Sequence, residues 1–324
     1  MELASTTNKD QPRGHSRAVY ALAVILTVAV FPLIWVGGLV TTYDAGMAVP
    51  DWPSTYQENM FTYSRWITGP FDLLVEHGHR LLGSLAGIIS IGLVVAAWRY
   101  EPRPWFRWWA IFILFTVIAQ GALGGFRVLL DQRTAAMIHG CVGPLFFALS
   151  TATAVMSSRW WRIGADRQAN TPRTIAWMAS LLVVFSYIQL VIGAQLRHVT
   201  GVTPPRVFTA FVHLHLTLAA LVMLVTLLLA GAAGLSRRTP GKVSSPSFLL
   251  VALLLVQVAL GIGSWIVNYA LPWQELNAAL AAYVIQAKGY TESLIVTAHV
   301  ATGSLIISLS TVAALRSWRS LLRT

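Results

Sequence analysis

The sequence predicts an all-α integral membrane protein, with eight transmembrane helices arranged as two pseudo-symmetric four-helix bundles. Three observations point there. Of 324 residues, 56% are hydrophobic and only 11% charged, where a soluble domain carries about 25% charged residues. The apolar segments are long and unalternating, so the spans are helices rather than barrel strands. The second half of the chain also repeats the first, with four spans between equivalent positions.

The spans fall at 18–40, 71–98, 109–129, 134–157, 175–196, 207–233, 247–268 and 291–315. Residues 1–17, with Lys9, Arg13 and Arg17, read as a polar tail before a first helix, not as a cleaved signal peptide. The organisation that follows is a tail at 1–17, an N-terminal half at 18–157, a linker at 158–174, a C-terminal half at 175–315 and a tail at 316–324.

The net charge of +11 invites a nucleic-acid reading, but its distribution excludes one. The N-terminus, 99–108, 158–174, 235–246 and the tail from Arg316 hold 16 of the 23 Lys+Arg and 4 of the 12 acids. The opposite side holds 7 basic residues and 8 acids. That asymmetry places both termini in the cytoplasm of a cell (inner or plasma) membrane protein and fits an even number of spans. The single cysteine, Cys141, allows no intrachain disulfide and no Cys-based metal motif.

The repeat aligns "IHGCVGPLFFALSTATA" (138–154) with "AHVATGSLIISLSTVAA" (298–314), and "EHGHRLLGSLAG" (76–87) with "VHLHLTLAALVM" (212–223). His139 then falls on His299, His77 on His213 and His79 on His215. Spans three, five and seven share Gln-x-x-x-Gly at Gln120/Gly124, Gln189/Gly193 and Gln257/Gly261. Span one has "WVGGL" (35–39), with Gly38 in that register and no glutamine.

His79, His215 and His299 lie about nine residues into spans two, six and eight, and His139 about five into span four. At 1.5 Å per residue they form one layer roughly 8–13 Å below the outer surface. A single histidine is usually a satisfied core residue. Four in one layer, paired by the repeat and lacking cysteines, suit iron porphyrins, for which histidine is a common axial ligand. A bare zinc site would need further ligands in each half. Residues two apart point about 200° apart on a helix, so only one of each His-x-His pair faces inward. The repeat selects His79 and His215, leaving His77 and His213 to structural roles. Gly83, Gly87, Gly124, Gly125, Gly193, Gly261 and Gly263 either admit a flat macrocycle or serve ordinary helix packing.

Glu76 lies one turn from His79 on the same face, and the second half has no acid at this place. It marks one of the two sites as a reaction site or, more plainly, pairs with Arg80 or another arginine. Arg127 and Arg197 end spans three and five; they contact porphyrin propionates or snorkel to the interface.

Glu-x-x-His-Arg opening span two, a histidine at the head of each later even span, and "GGLVTTYDAGMAVPDWP" (37–53) together resemble the haem A synthase (Cox15/CtaA) family over about residues 18–315. The resemblance implies oxidation of the C8 methyl of haem O to a formyl group, making haem A for terminal oxidases. It implies a substrate haem between His79 and His139 with Arg80 beside it, and Glu76 as the catalytic acid at the methyl. It implies haem b as cofactor on His215 and His299, and a haem O synthase and an electron acceptor as partners. Two features depart from the family: Thr41 and Thr42 stand where many members have an arginine, and the outer loops lack the cysteine pairs of many bacterial members.

Loop 44–69, with Trp52, Tyr56, Phe61, Tyr63 and Trp66, is expected to cap the substrate half, and 275–286 to form a short interfacial helix; ordinary aromatic anchoring explains both equally well. The competing readings are a dihaem b-type electron carrier, which leaves Glu76 unexplained, and a repeat transporter, which would carry broken helices.

Overall fold

The computed structural model describes residues 16–163, 171–198, 203–236, 239–269 and 289–321. Among them the regular structure is helical, with only an isolated bridge between Thr55 and Glu58. The helices are α1 (Arg17–Thr42), α2 (Phe71–Tyr100), α3 (Pro104–Leu129), α4 (Arg133–Ser157), a short α5 (Arg159–Ile163), α6 (Arg173–Arg197), α7 (Pro205–Leu235), α8 (Gly241–Tyr269) and α9 (Tyr290–Leu321). All but α5 are long and apolar enough to span a membrane. Each expected span lies inside one of these helices, so the protein is a multi-pass membrane protein. Residues 275–286 lie outside the described residues.

The helix starts are written locally. Ser16 caps α1 by accepting from the Val19 N–H at 3.3 Å. Proline precedes or opens α2, α3, α6, α7 and α8, where its fixed φ and missing N–H cost nothing. Within the spans, Thr27, Ser90, Ser150, Thr226 and Ser304 return their hydroxyls to the carbonyl four residues back, so these donors are satisfied inside their own helices.

Helices α1 to α4 pack in order and α4 closes on α1; α6 to α9 pack in order and α9 closes on α6. The halves meet where α4 packs on α9, flanked by α1 on α9 and α4 on α6. Lipid provides no hydrophobic drive between helices, so small residues and interhelical hydrogen bonds hold this seam. Thr151 and Ser308 join across it at 2.6 Å, and Thr42 and Thr297 at 2.8 Å.

Two large apolar clusters fill the end of the molecule remote from the histidines. One is built from Leu26, Leu93, Phe106, Ile113 and Phe147 of the first half. The other is built from Ile175, Leu182, Leu229, Leu250 and Ile306 of the second. On α1, α3, α6 and α8 these residues precede the glycines of the histidine layer; on α2, α4, α7 and α9 they follow the histidines. The bundles are thus closed at one end, and the histidines stand at the other.

The closed end is stapled by Glu101, which is fully buried. Its carboxylate accepts from Arg103 Nε at 2.8 Å and pairs with Arg162, while Arg103 also donates to the Met156 carbonyl at 3.0 Å. Burial pushes the Glu101 carboxyl up, but the Arg103 hydrogen bonds and the two guanidiniums outweigh it and hold the group below its ordinary value. A lowered pKa contributes stability that is complete above the ordinary carboxylate value and is lost as the pH falls through the lowered one. Glu101→Gln leaves two guanidiniums without their acid and is expected to cost roughly 3 kcal/mol at neutral pH. Thermal unfolding in detergent should show the gap between variant and wild type closing below pH 4; a gap independent of pH would contradict this.

Candidate functional site

Four histidines converge in two pairs. The rings of His79 (α2) and His139 (α4) have centroids 6.1 Å apart, and those of His215 (α7) and His299 (α9) are 6.4 Å apart. His213 is exposed and His77 packs against Tyr63 and Trp66 of loop 44–69, whereas His79 and His215 face the paired histidines, as the repeat selected.

Each ring lies with its Cε1 edge against a glycine of the neighbouring odd span. A Cβ placed on Gly37, Gly124, Gly193 or Gly261 would stand 2.6, 3.0, 3.1 or 3.0 Å from Cε1 of His79, His139, His215 or His299. Three of these are the glycines of Gln-x-x-x-Gly. In α1 the glycine is Gly37, not Gly38: a Cβ on Gly38 would instead meet Thr297 of α9. The expected register for span one was therefore off by one residue, and the residue in the glutamine's place is Leu33. Gly124, Gly193 and Gly261 admit imidazoles rather than a macrocycle, Gly125 admits the Trp52 indole, and Gly263 packs by Ile295. Of the seven glycines singled out in the sequence, Gly83 and Gly87 face open space, on the turns of α2 that follow His79.

The Nδ1 atoms of His79, His139 and His215 are buried without a hydrogen bond of ordinary geometry. The rings of these three histidines lie beside the backbone carbonyls of Leu33, Gln120 and Gln189, and His299 Nδ1 sits 3.2 Å from the Gln257 carbonyl. On the far side, the amides of Gln189 and Gln257 reach Nε2 of His215 and His299 at 3.2 and 3.5 Å, whereas Gln120 donates to the His139 carbonyl at 2.7 Å.

These pairs fit an iron porphyrin. Two imidazoles on opposite faces of one iron, each about 2 Å from it, have ring centres roughly 6 Å apart. Among the described residues no third His, Cys, Asp or Glu joins either pair.

Among the described residues, only the first pair has an acid one turn from one of its histidines. Glu76 is 2% exposed, and both its oxygens are engaged: Oε2 accepts from the Val49 N–H at 2.9 Å, and Oε1 pairs with Arg80 at 2.9 Å and stands 3.8 Å from Arg127. The plainer expectation, an Arg80–Glu76 ion pair, is thus present. Arg80 also donates to the carbonyls of Asp51, Ser54 and Val49, and Arg127 to that of Gly46. Arg197 turns inward to the Gly38 carbonyl at 2.6 Å rather than out to the interface. Beside it, His198 is pushed down to about 4, by burial first and then by Arg197 and Arg133, so it is neutral at physiological pH.

These contacts fasten loop 44–69 over the first pair, as its aromatic composition suggested. Trp52 lies on Gly125, and His77 is held between Tyr63 and Trp66 with its Nδ1 3.1 Å from the Thr55 hydroxyl. Asp51 organises the loop tip. Burial raises its carboxyl, but bonds from Ser54, Gln57 and Tyr56 outweigh that and hold it below its ordinary value. The pairing of Arg80 and Arg127 with loop carbonyls had no signature in the sequence; the pattern showed charge near the histidines, not its direction.

The fold and site define a multi-pass membrane protein with two imidazole pairs, one closed over by a charged loop. The profile of the family described as cytochrome oxidase assembly protein (COX15-CtaA) matches residues 20–211, which include Glu76, His79, Arg80 and His139. The chain belongs to that family. It is 26% identical over 231 residues to the Heme A synthase of Shouchella clausii, covering 64% of this chain and 72% of the relative. It is 27% identical over 192 residues to that of Symbiobacterium thermophilum, covering 56% and 60%. It is 23% identical over 270 residues to that of Exiguobacterium sibiricum, covering 78% and 86%.

Arg80→Ala removes three loop contacts and the Glu76 ion pair at once. It should make residues 44–69 cleavable by a protease added to the histidine side, at least tenfold faster than wild type; equal rates would show that the loop is fastened by other means.

Proposed function

We propose that this protein is a haem A synthase, oxidising the C8 methyl of haem O to a formyl group. The observation that carries the reading is the two imidazole pairs with ring centres 6.1 and 6.4 Å apart, only one of which has a buried carboxylate one turn away. The names of the relatives support the same activity. Haem O would lie between His79 and His139, with its ring along the open face of Gly83 and Gly87. His215 and His299 would hold haem b, which would supply one-electron chemistry when bound.

Converting the methyl to the aldehyde through the alcohol takes one oxygen from water and releases four electrons and four protons. Glu76 is the residue to receive protons at that carbon, and the guanidiniums of Arg80 and Arg127 fix its position. Arg127 and Arg197, each at the outer end of its span, would meet the propionates. Loop 44–69 keeps bulk water off the reacting carbon. The protein would sit in the inner or plasma membrane with both termini in the cytoplasm, receiving haem O from its synthase and passing electrons to an external acceptor.

Glu76→Gln preserves the shape of the site and should leave haem bound while formyl product falls at least a hundredfold, as read by extracting and separating the haems. Full conversion by that variant would refute the assignment of Glu76. His215→Ala and His299→Ala should each abolish the low-spin haem b spectrum. A protein that binds haem O and returns it unchanged would instead be an electron carrier.

A further inference from the structure

The four glycines beside the imidazoles share more than their absence of a side chain. In an α-helix a side chain leans toward the N-terminus and lies over the preceding turn. The residue at i+4 therefore shields the carbonyl of residue i. That carbonyl already accepts one N–H within the helix but keeps a second lone pair. Glycine at i+4 leaves this lone pair open to a donor from outside. Leu33, Gln120, Gln189 and Gln257 stand four residues before Gly37, Gly124, Gly193 and Gly261, and the His299 Nδ1 is 3.2 Å from the Gln257 carbonyl.

We propose that Gly37, Gly124, Gly193 and Gly261 are positioning residues: each uncovers the carbonyl four residues earlier, which takes the Nδ1 proton of the facing histidine and leaves its Nε2 as the iron-facing nitrogen. The inference rests on the haem-binding reading above. It makes the glutamine side chain dispensable, since the acceptor is a backbone atom, and so accounts for Leu33 in α1. The carbonyl fixes which nitrogen is protonated and how the ring is turned, and it strengthens the ring as an electron donor to a metal. A methyl on the glycine would displace the ring and cover its acceptor together.

The test uses the full-length protein purified in detergent, carrying Gly37→Ala, Gly124→Ala, Gly193→Ala or Gly261→Ala. Gly231→Ala, whose Cβ would meet nothing within 4 Å, is the folding control. Gly193→Ala and Gly261→Ala should each lower haem b per protein at least twofold or raise its midpoint potential, because a weaker donor favours ferric iron less. Gly37→Ala and Gly124→Ala should leave haem b unchanged and weaken retention of added haem O by at least tenfold. Haem b content and potential identical to wild type in both second-half variants would overturn the inference.

Proton NMR of oxidised wild type gives a reading that needs no variant. The Nδ1 protons of His215 and His299 should appear as hyperfine-shifted resonances that exchange slowly with solvent; fast exchange of both would overturn the inference. Wild-type protein that neither contains nor takes up haem would bring down the functional reading, and this inference with it. Wild type that holds haem while the variants match it would bring down this inference alone.

Discussion

An imidazole at membrane depth has two nitrogens to satisfy and no water to do it. In this protein the rings are set beside carbonyls of helix backbones already hydrogen-bonded within themselves. Four times the neighbouring helix answers with a glycine and a backbone carbonyl beside the ring, and at His299 the carbonyl is 3.2 Å from Nδ1. The rest of the architecture follows from that need. The odd spans must approach the even ones closely at the histidine layer, which excludes bulk there and moves the large apolar clusters to the opposite end. The bundles are dense where α1 begins and open where it ends.

The two halves answer the same demand and then diverge. The first places a carboxylate one turn from its histidine, which costs several kcal/mol unless the charge is paired. Arg80 and Arg127 supply the pairing, and each is also tied to carbonyls of loop 44–69. A buried acid, two guanidiniums and a surface loop therefore form one unit, and none can be removed without stranding another's charge or hydrogen bonds. The second half has no acid at this place, and its span-five arginine, Arg197, bonds to a carbonyl of α1 in the other half.

Much of this was legible in the sequence. The eight spans, the selection of His79 and His215 from their His-x-His pairs, and the loop over the first site follow from hydropathy, helical geometry and the repeat. The misses have a common physical cause. Gly37 was passed over for Gly38 because the pattern being matched was a side chain, glutamine, while the conserved contact is made by a backbone carbonyl that any residue supplies; Leu33 satisfies it invisibly. Gly124, Gly193 and Gly261 stood open between a macrocycle and ordinary helix packing because a sequence shows that space is required, not what fills it. The direction of Arg80, Arg127 and Arg197 was open for the same reason: a long side chain near a helix end reaches either way, and the acceptors inside are carbonyls with no mark in the sequence.

The register of α1 also decides how the two sites are related. Consecutive residues of a helix point about 100° apart, so Gly37 and Gly38 serve different neighbours: the first lies against His79, the second against Thr297, two residues before His299 on α9. Thr42 bonds both the Gly38 carbonyl and the Thr297 hydroxyl, and Arg197 of α6 reaches the same carbonyl. One turn of α1 is therefore in contact with a histidine of the first pair and with the helix that carries a histidine of the second. Gly38 leaves room for the Thr297 side chain as Gly37 does for the His79 ring. The pair of small residues thus fixes the spacing of the two sites as well as the seat of one ring, which explains why this position tolerates two glycines in the middle of a span whose helix they would otherwise weaken.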